Sequence, residues 1–183
     1  MTRAIFSVDP GESTGVAWAV LNDGRNTMAL SSMASRSHSS SKTLSGPASA
    51  QIRELYWLWV MFKRRAVNDL RIKPEDVDLV FEEFVLRPGA TPGRSTTAPE
   101  RVAWGFEGYR MSHADLYRER GRALPKHYTE INWQLASSAA RFNNQQILKQ
   151  LDAWVVGKEH ERSAFAHMLL RLNIVLDQNR GGQ

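Results

Sequence analysis

The chain contains no cysteine. Disulfide bonds, thiolate zinc sites and cysteine nucleophiles are excluded together. No apolar run approaches the ~20 residues of a membrane-spanning helix. The first residues enter a strand pattern directly and lack the layout of a signal peptide, and no segment recurs at a fixed period. These absences point to a soluble, cytoplasmic protein with no membrane among its partners. What is present is 183 residues, 42% of them hydrophobic, enough for one domain spanning 1–183 with a real core. The formal net charge is +5 and the sequence pI about 9.8. A basic balance fits a polyanionic partner, usually nucleic acid, although many small domains are mildly basic.

The opening stretch Ile5-Phe6-Ser7-Val8-Asp9-Pro10-Gly11-Glu12-Ser13-Thr14-Gly15-Val16-Ala17-Trp18 carries the most information. An apolar strand runs into a carboxylate, a Pro-Gly turn, a small-residue loop and a second apolar run. Strand propensity does not account for Asp9, since Asp is depleted in strands. The end of a first strand, beside a tight hairpin, is a common place for a residue that holds a metal or a phosphate.

Strands are expected over 3–9 and 14–21, and the Asn22-Asp23-Gly24 turn leads to a third near Thr27–Ser31. The serine-rich segment 31–46 reads as a mobile surface loop. A long helix is expected from Pro47 to Leu70, with an apolar stripe through Ile52, Leu55, Tyr56, Trp59, Val60 and Phe62. Trp57 beside Trp59 makes that stripe wider than one packing face needs. Either the helix is buried on two sides, or part of it is a dimer contact, the reading favoured here. Lys63-Arg64-Arg65 near its end complement the helix dipole as readily as they would bind phosphate. A strand over Asp78–Leu86, a loop to Pro99, a helix over 98–121, a strand over 126–135, a short helix over 143–151 and a final helix over 160–178 complete the order, with 178–183 as a disordered tail. The order βββαβαβα indicates a mixed α/β sheet that opens with an antiparallel meander.

Glu82 and Glu83 interrupt the apolar strand. Neighbouring strand residues face opposite sides, so at most one of them shares a site with Asp9. Burial of an unpaired carboxylate is costly, and a metal ion or a paired cation would offset that cost; a solvated strand end is the plain alternative. On the final helix, Phe165, Met168, Leu169, Leu172, Val175 and Leu176 form a core stripe. His160, Ser163 and His167 lie on a different face, at i, i+3 and i+7.

Together these segments resemble the RuvC-type Holliday-junction resolvases of the ribonuclease H-like superfamily, particularly phage-encoded members. Val8-Asp9-Pro10-Gly11 with Ser13-Thr14-Gly15-Val16-Ala17 is similar to that family's opening strand and hairpin. Leu79-Val80-Phe81-Glu82-Glu83-Phe84 is similar to the strand carrying its catalytic glutamate, at Glu82. His160-Glu161-Arg162-Ser163-Ala164-Phe165-Ala166-His167 is similar to the phage pattern His-x-Arg-Asp-Ala-x-Arg-His. The resemblance implies an α/β fold, a ribonuclease H-like mixed five-stranded sheet flanked by helices. It implies a metal-dependent endodeoxyribonuclease that nicks four-way junctions and other branched DNA symmetrically, as a homodimer, in the host cytoplasm if phage-encoded.

By the same resemblance Asp9, Glu82 and His160 are the metal-binding and catalytic residues, holding two Mg²⁺ or Mn²⁺ ions. Ser163 stands where the family has an aspartate, and Ala166 where the phage pattern has an arginine. A serine hydroxyl is a neutral, poor ligand for a hard divalent cation. That departure implies reduced activity or a need for Mn²⁺, or a junction-binding protein without useful cleavage. Lys63, Arg64, Arg87, Arg94 and Arg101 are the expected phosphate contacts. Trp104 or Phe106 is either a stacking surface for an unpaired base or part of the core. Another ribonuclease H-like nuclease, cutting hybrids or flaps, remains open. An ATP-binding protein of the actin or sugar-kinase type begins with a similar hairpin but needs two such domains and a longer chain.

Overall fold

Alternation along the first strand decides how the molecule is layered. In β1 (Thr2–Asp9), Ala4, Phe6 and Val8 face one way, and Ile5, Ser7 and Asp9 the other. Both sets are buried, so helices must cover both sides of the sheet. The computed structural model describes residues 2–22, 40–83, 94–120, 129–150 and 158–181. In it β2 (Thr14–Asn22) pairs antiparallel with β1, and β3 (Ser40–Leu44) antiparallel with β2. On the other side, β4 (Val77–Glu83) runs parallel to β1 and β5 (Ile131–Leu135) parallel to β4. The strand order is β3-β2-β1-β4-β5. This is the mixed five-stranded α/β sheet flanked by helices that the sequence leads one to expect.

Helix α1 (Ala48–Arg64) continues through a π turn at Arg65–Asp69, and α2 is Arg94–Glu119. Both pack on the Phe6 face, where Leu55, Trp59 and Phe62 of α1 and Val102, Ala103 and Phe106 of α2 join one core. Phe6 is its centre, with ring centroids 5.6 Å from Trp59 and 5.5 Å from Phe62. Each such buried side chain contributes about 1.5–3 kcal/mol. Two short helices, α3 (Ala136–Ala139) and α4 (Gln145–Gln150), lead to α5 (Glu159–Gly181). On the opposite face Phe165, Met168, Leu169 and Leu172 of α5 cover Ile5, Ala17, Ala19 and Val80.

An ion cluster ties the two layers at the start of β4. Buried Asp78 accepts from Arg3 at 2.9 Å and from Arg171 of α5 at 2.8 Å. No described helix is long and apolar enough to cross a membrane.

Three expectations are corrected. The segment 31–46, read as a loop, contains β3 at Ser40–Leu44, while Thr27–Ser31 lies outside the described residues. Serine content hid this strand: Leu44 is buried, and the hydroxyls of Ser41 and Thr43 are satisfied by Glu161 of α5. Residues 178–181, expected to be disordered, continue α5 to Gly181. Helical backbone bonding does not require the apolar stripe to continue. Pro47, expected in the first turn of α1, sits just before it as the cap.

Candidate active site

Parallel pairing of β1 and β4 puts Val8 opposite Phe81. Asp9 and Glu82, one step further on, leave the same end of the sheet on the face covered by α5. Strand alternation turns Glu83, one residue on, to the opposite face. The Asp9 and Glu82 carboxyl groups are close enough to influence each other's ionisation. Asp9 is 8% exposed.

The hairpin after Asp9 seats the start of α5. A Cβ added at Gly15 would lie 2.0 Å from the carbonyl oxygen of His160 and 2.1 Å from its carbonyl carbon. Only glycine allows that approach. The His160 ring lies over Gly11, with Cε1 3.3 Å from where a Cβ would stand. Gln51 of α1 holds the same turn from the other side. It accepts from Thr14 Oγ1 at 2.6 Å and donates to the Glu12 and Gly46 carbonyls at 2.7 and 2.8 Å.

The first two turns of α5 then converge on the acids. His160 Nδ1 is 2.9 Å from Asp9 Oδ2. Ser163 Oγ donates to Glu82 Oε2 at 3.0 Å. His167, fully buried, spans from Gln134 Oε1 at Nδ1 to Glu82 Oε2 at Nε2, 3.0 Å in each case. The i, i+3, i+7 spacing of His160, Ser163 and His167 is what aligns all three along one side of the helix.

The acids of α5 itself do not replace the aspartate absent at Ser163. Glu161 faces β3, accepting from Ser41 Oγ at 2.5 Å, Thr43 Oγ1 at 2.6 Å and Lys158 Nζ at 3.0 Å. Glu159 is exposed and 3.9 Å from Arg162.

Burial pushes the Asp9 carboxyl up to about 6; the hydrogen bond from His160 opposes this and the neighbouring Glu82 charge adds to it. Burial also acts to raise Glu82, but the hydrogen bond and charge of His167, with the bonds from Ser163 and Asp9, outweigh it and hold Glu82 below the usual range. The hydrogen bond to Asp9 raises His160, against its partial burial. Of the two acids, Asp9 is thus the harder to ionise and Glu82 the easier.

Two neighbouring carboxylates, one of them pushed up by burial, have the donor chemistry of a divalent cation site, since a cation would offset the cost of ionising both. The set holds two anionic side chains and one imidazole, and Ser163 adds no charge. Among the described residues, no three His, Asp or Glu side chains are already arranged around a common metal position. His160 Nδ1 is occupied by Asp9, and Glu82 Oε2 by Ser163 and His167.

The basic residues expected to contact phosphate are not gathered around this site. Lys63 and Arg64 lie at the far end of α1, about 18 Å along the helix axis from Gln51 at a rise of 1.5 Å per residue. Lys63 is turned inward: Nζ donates to Thr129 Oγ1 at 2.9 Å and sits over the Trp59 ring, and burial lowers it to about 8. Arg101 is exposed on α2. Arg94 is the first residue of that helix, and Arg87 lies outside the described residues. Of the two aromatics singled out, Phe106 is core and Trp104 is 66% exposed. Sequence reading assigned no role to Gln51, Gln134 or His167. Only His167 had a signal, its helical spacing from His160.

No protein-family model matches this chain, and no curated protein sequence matches it. Among solved structures, that of Thermus thermophilus RuvC has a TM-score of 0.45 at 12% identity, covering 91% of this chain and 92% of the other. T. thermophilus RuvC in complex with a Holliday junction substrate has a TM-score of 0.43 at 10% identity, covering 92% of this chain and 91% of that one.

Proposed function

We propose that this chain is a divalent-metal-dependent, structure-specific endonuclease acting on branched DNA such as four-way junctions. The observation that carries this reading is the convergence of Asp9 and Glu82, from adjacent parallel strands, on the start of α5, where His160 meets Asp9 and Ser163 and His167 meet Glu82. Asp9 and Glu82 would hold Mg²⁺ or Mn²⁺, with His160 alongside. When bound, such an ion supplies charge neutralisation at the phosphate and a more acidic water.

The chain's own residues divide the remaining work. Ser163 and His167 fix the Glu82 carboxylate in one orientation. Gln134 in turn orients His167. His160, held by Asp9 and partly exposed, presents a basic ring at the open end of the site, where it can accept or give a proton at a phosphate or water. Selectivity for branched DNA would come from the geometry of phosphates rather than from base edges. A homodimer would nick two opposed strands, and the exposed pair Trp57 and Met61, one turn apart on α1, offers its apolar surface.

One observation favours a second reading, a junction-binding protein that cleaves poorly: Ser163 donates a hydrogen bond to Glu82 where an anionic ligand is expected. Cleavage of a labelled synthetic four-way junction in Mg²⁺ and in Mn²⁺ separates the two. Paired symmetric nicks that disappear in Asp9→Asn are expected, stronger in Mn²⁺. Ser163→Asp should raise the Mg²⁺ rate by about tenfold, the scale on which groups around a metal site act. Cleavage that survives Asp9→Asn overturns the proposal. Tight binding with no nick until Ser163→Asp is introduced establishes the second reading.

A further inference from the structure

At the sheet end, bordered by Glu82 of the carboxylate pair and extending to Trp104 and Ala103 of α2, lies a cavity of about 330 Å³ whose aromatic wall the chemistry above does not use. Two exposed tryptophans form one wall. Trp104 of α2 and Trp133 of β5 have ring centroids 5.7 Å apart, tilted by 37°, and are 66% and 39% exposed. Trp133 is backed by Phe81 at 5.7 Å, and Phe81 by Phe106 at 5.2 Å, so the wall is rigid. Pro10 and Pro99 supply apolar edges, and Glu82, Glu83 and Glu100 line it with carboxylates.

This lining selects its occupant. Two large aromatic faces left in water favour a flat, stackable ring. The described lining residues carry carboxylates and no cation, so a phosphate is repelled. Carboxylates accept hydrogen bonds and cannot donate them, so the ring should carry N–H donors at its edge. An unpaired nucleobase with an exocyclic amino group meets both conditions, and a carboxylate accepting from the amino group of cytosine is an established pairing. Thymine fits less well, because its single N3–H donor lies between two carbonyl oxygens that a carboxylate repels.

We propose that Trp104 and Trp133, with Glu83 and Glu100, form a stacking subsite for an unpaired, amino-bearing nucleobase next to the carboxylate pair. The proposal rests on the endonuclease reading for its biological sense, but its own content is nucleotide binding. Pro10 and Glu83 each directly follow one of the paired acids in sequence. A base lodged here would therefore position its neighbouring phosphate at the sheet end.

The test uses the full chain in EDTA and fluorescence anisotropy with labelled single-stranded oligo-dC, oligo-dT and a blunt duplex. Tighter binding of oligo-dC than of oligo-dT is expected. Trp104→Ala should weaken oligo-dC binding by about tenfold, the effect of one base–aromatic stack, while leaving duplex binding unchanged. Trp104→Phe should restore most of it. Glu83→Gln with Glu100→Gln should reduce the preference for dC over dT while retaining binding. Equal affinity for the two oligomers, or oligo-dC binding insensitive to Trp104→Ala, overturns the subsite. Junction cleavage run in parallel separates the two proposals. Cleavage with Trp104-independent binding overturns the subsite alone. Trp104-dependent binding with no cleavage under any metal supports the subsite and overturns the endonuclease reading.

Discussion

Asp9 is held in the folded chain in a state it would not choose in water. Its carboxyl rises from 3.8 to about 6, mainly through burial, which corresponds to about 3 kcal/mol of destabilisation once it ionises. Stability from this group is fully present below pH 3.8 and lost as pH rises through about 6. His160, also raised, adds stability below its ordinary value of 6.5 that is lost as pH rises through its higher folded value. Glu82 and Glu161, both lowered, act the other way, losing their contribution only as pH falls through their depressed values. The metal-free protein should therefore melt at a lower temperature at pH 8 than at pH 5.5, and Asp9→Asn should flatten that difference. At pH 8 the variant should be more stable by about 1–2 kcal/mol, less than the full figure because its bond to His160 weakens. Thermal melts across this range check it, and Mn²⁺ should raise the melting temperature of the wild type but not of Asp9→Asn.

At the level of elements, the site depends on how α5 meets the sheet. The seat is Gly15, whose Cβ position is taken by the His160 backbone. Gly15→Ala cannot be relieved by a side-chain rotation, because the obstacle is main chain. It should cost about 2–3 kcal/mol and lift the first turn of α5, separating His160 from Asp9. A fall in melting temperature, together with loss of the raised His160 titration by NMR, is the expected pair of results. A stability loss with that titration intact would mean the strain is absorbed elsewhere. The opposite side of the same turn is held by Glu161 against β3. An edge strand rich in serine and a helix acid thus satisfy one another, which is why neither was legible by itself.

For the molecule as a whole, the formal net charge is +5, and the proposed binding of nucleic acid predicts an affinity that falls with salt, with a slope of about −0.9 for each phosphate neutralised in duplex DNA. The cations do not contribute equally. Arg101 is exposed on α2, near the cavity that Glu100 borders, whereas Lys63 is committed to Thr129 and Trp59 at the far end of α1. Arg101→Ala should lower the slope of log K against log salt by about 1. Lys63→Ala should leave that slope unchanged and lower the melting temperature instead. Binding measured over a series of salt concentrations, beside melts of both variants, decides it.

Local chemistry was enough to mark Asp9, the two alternating glutamates and the apolar stripe of the last helix, because strand and helix periodicities are properties of the chain alone. It also required that Glu82 and Glu83 part company, though not which of them joins Asp9. That choice came from the parallel register of β4 on β1, a long-range pairing that no local pattern encodes. The same holds for β3, whose hydroxyls find their acceptor 118 and 120 residues away. It holds for Lys63, basic in sequence but folded inward. It holds also for His167 and Gln134, which acquire a role only where α5 crosses the end of the sheet. The residue types and their periodicity were present in the sequence; which of them touch was decided by tertiary packing, because burial and charge pairing depend on neighbours distant along the chain.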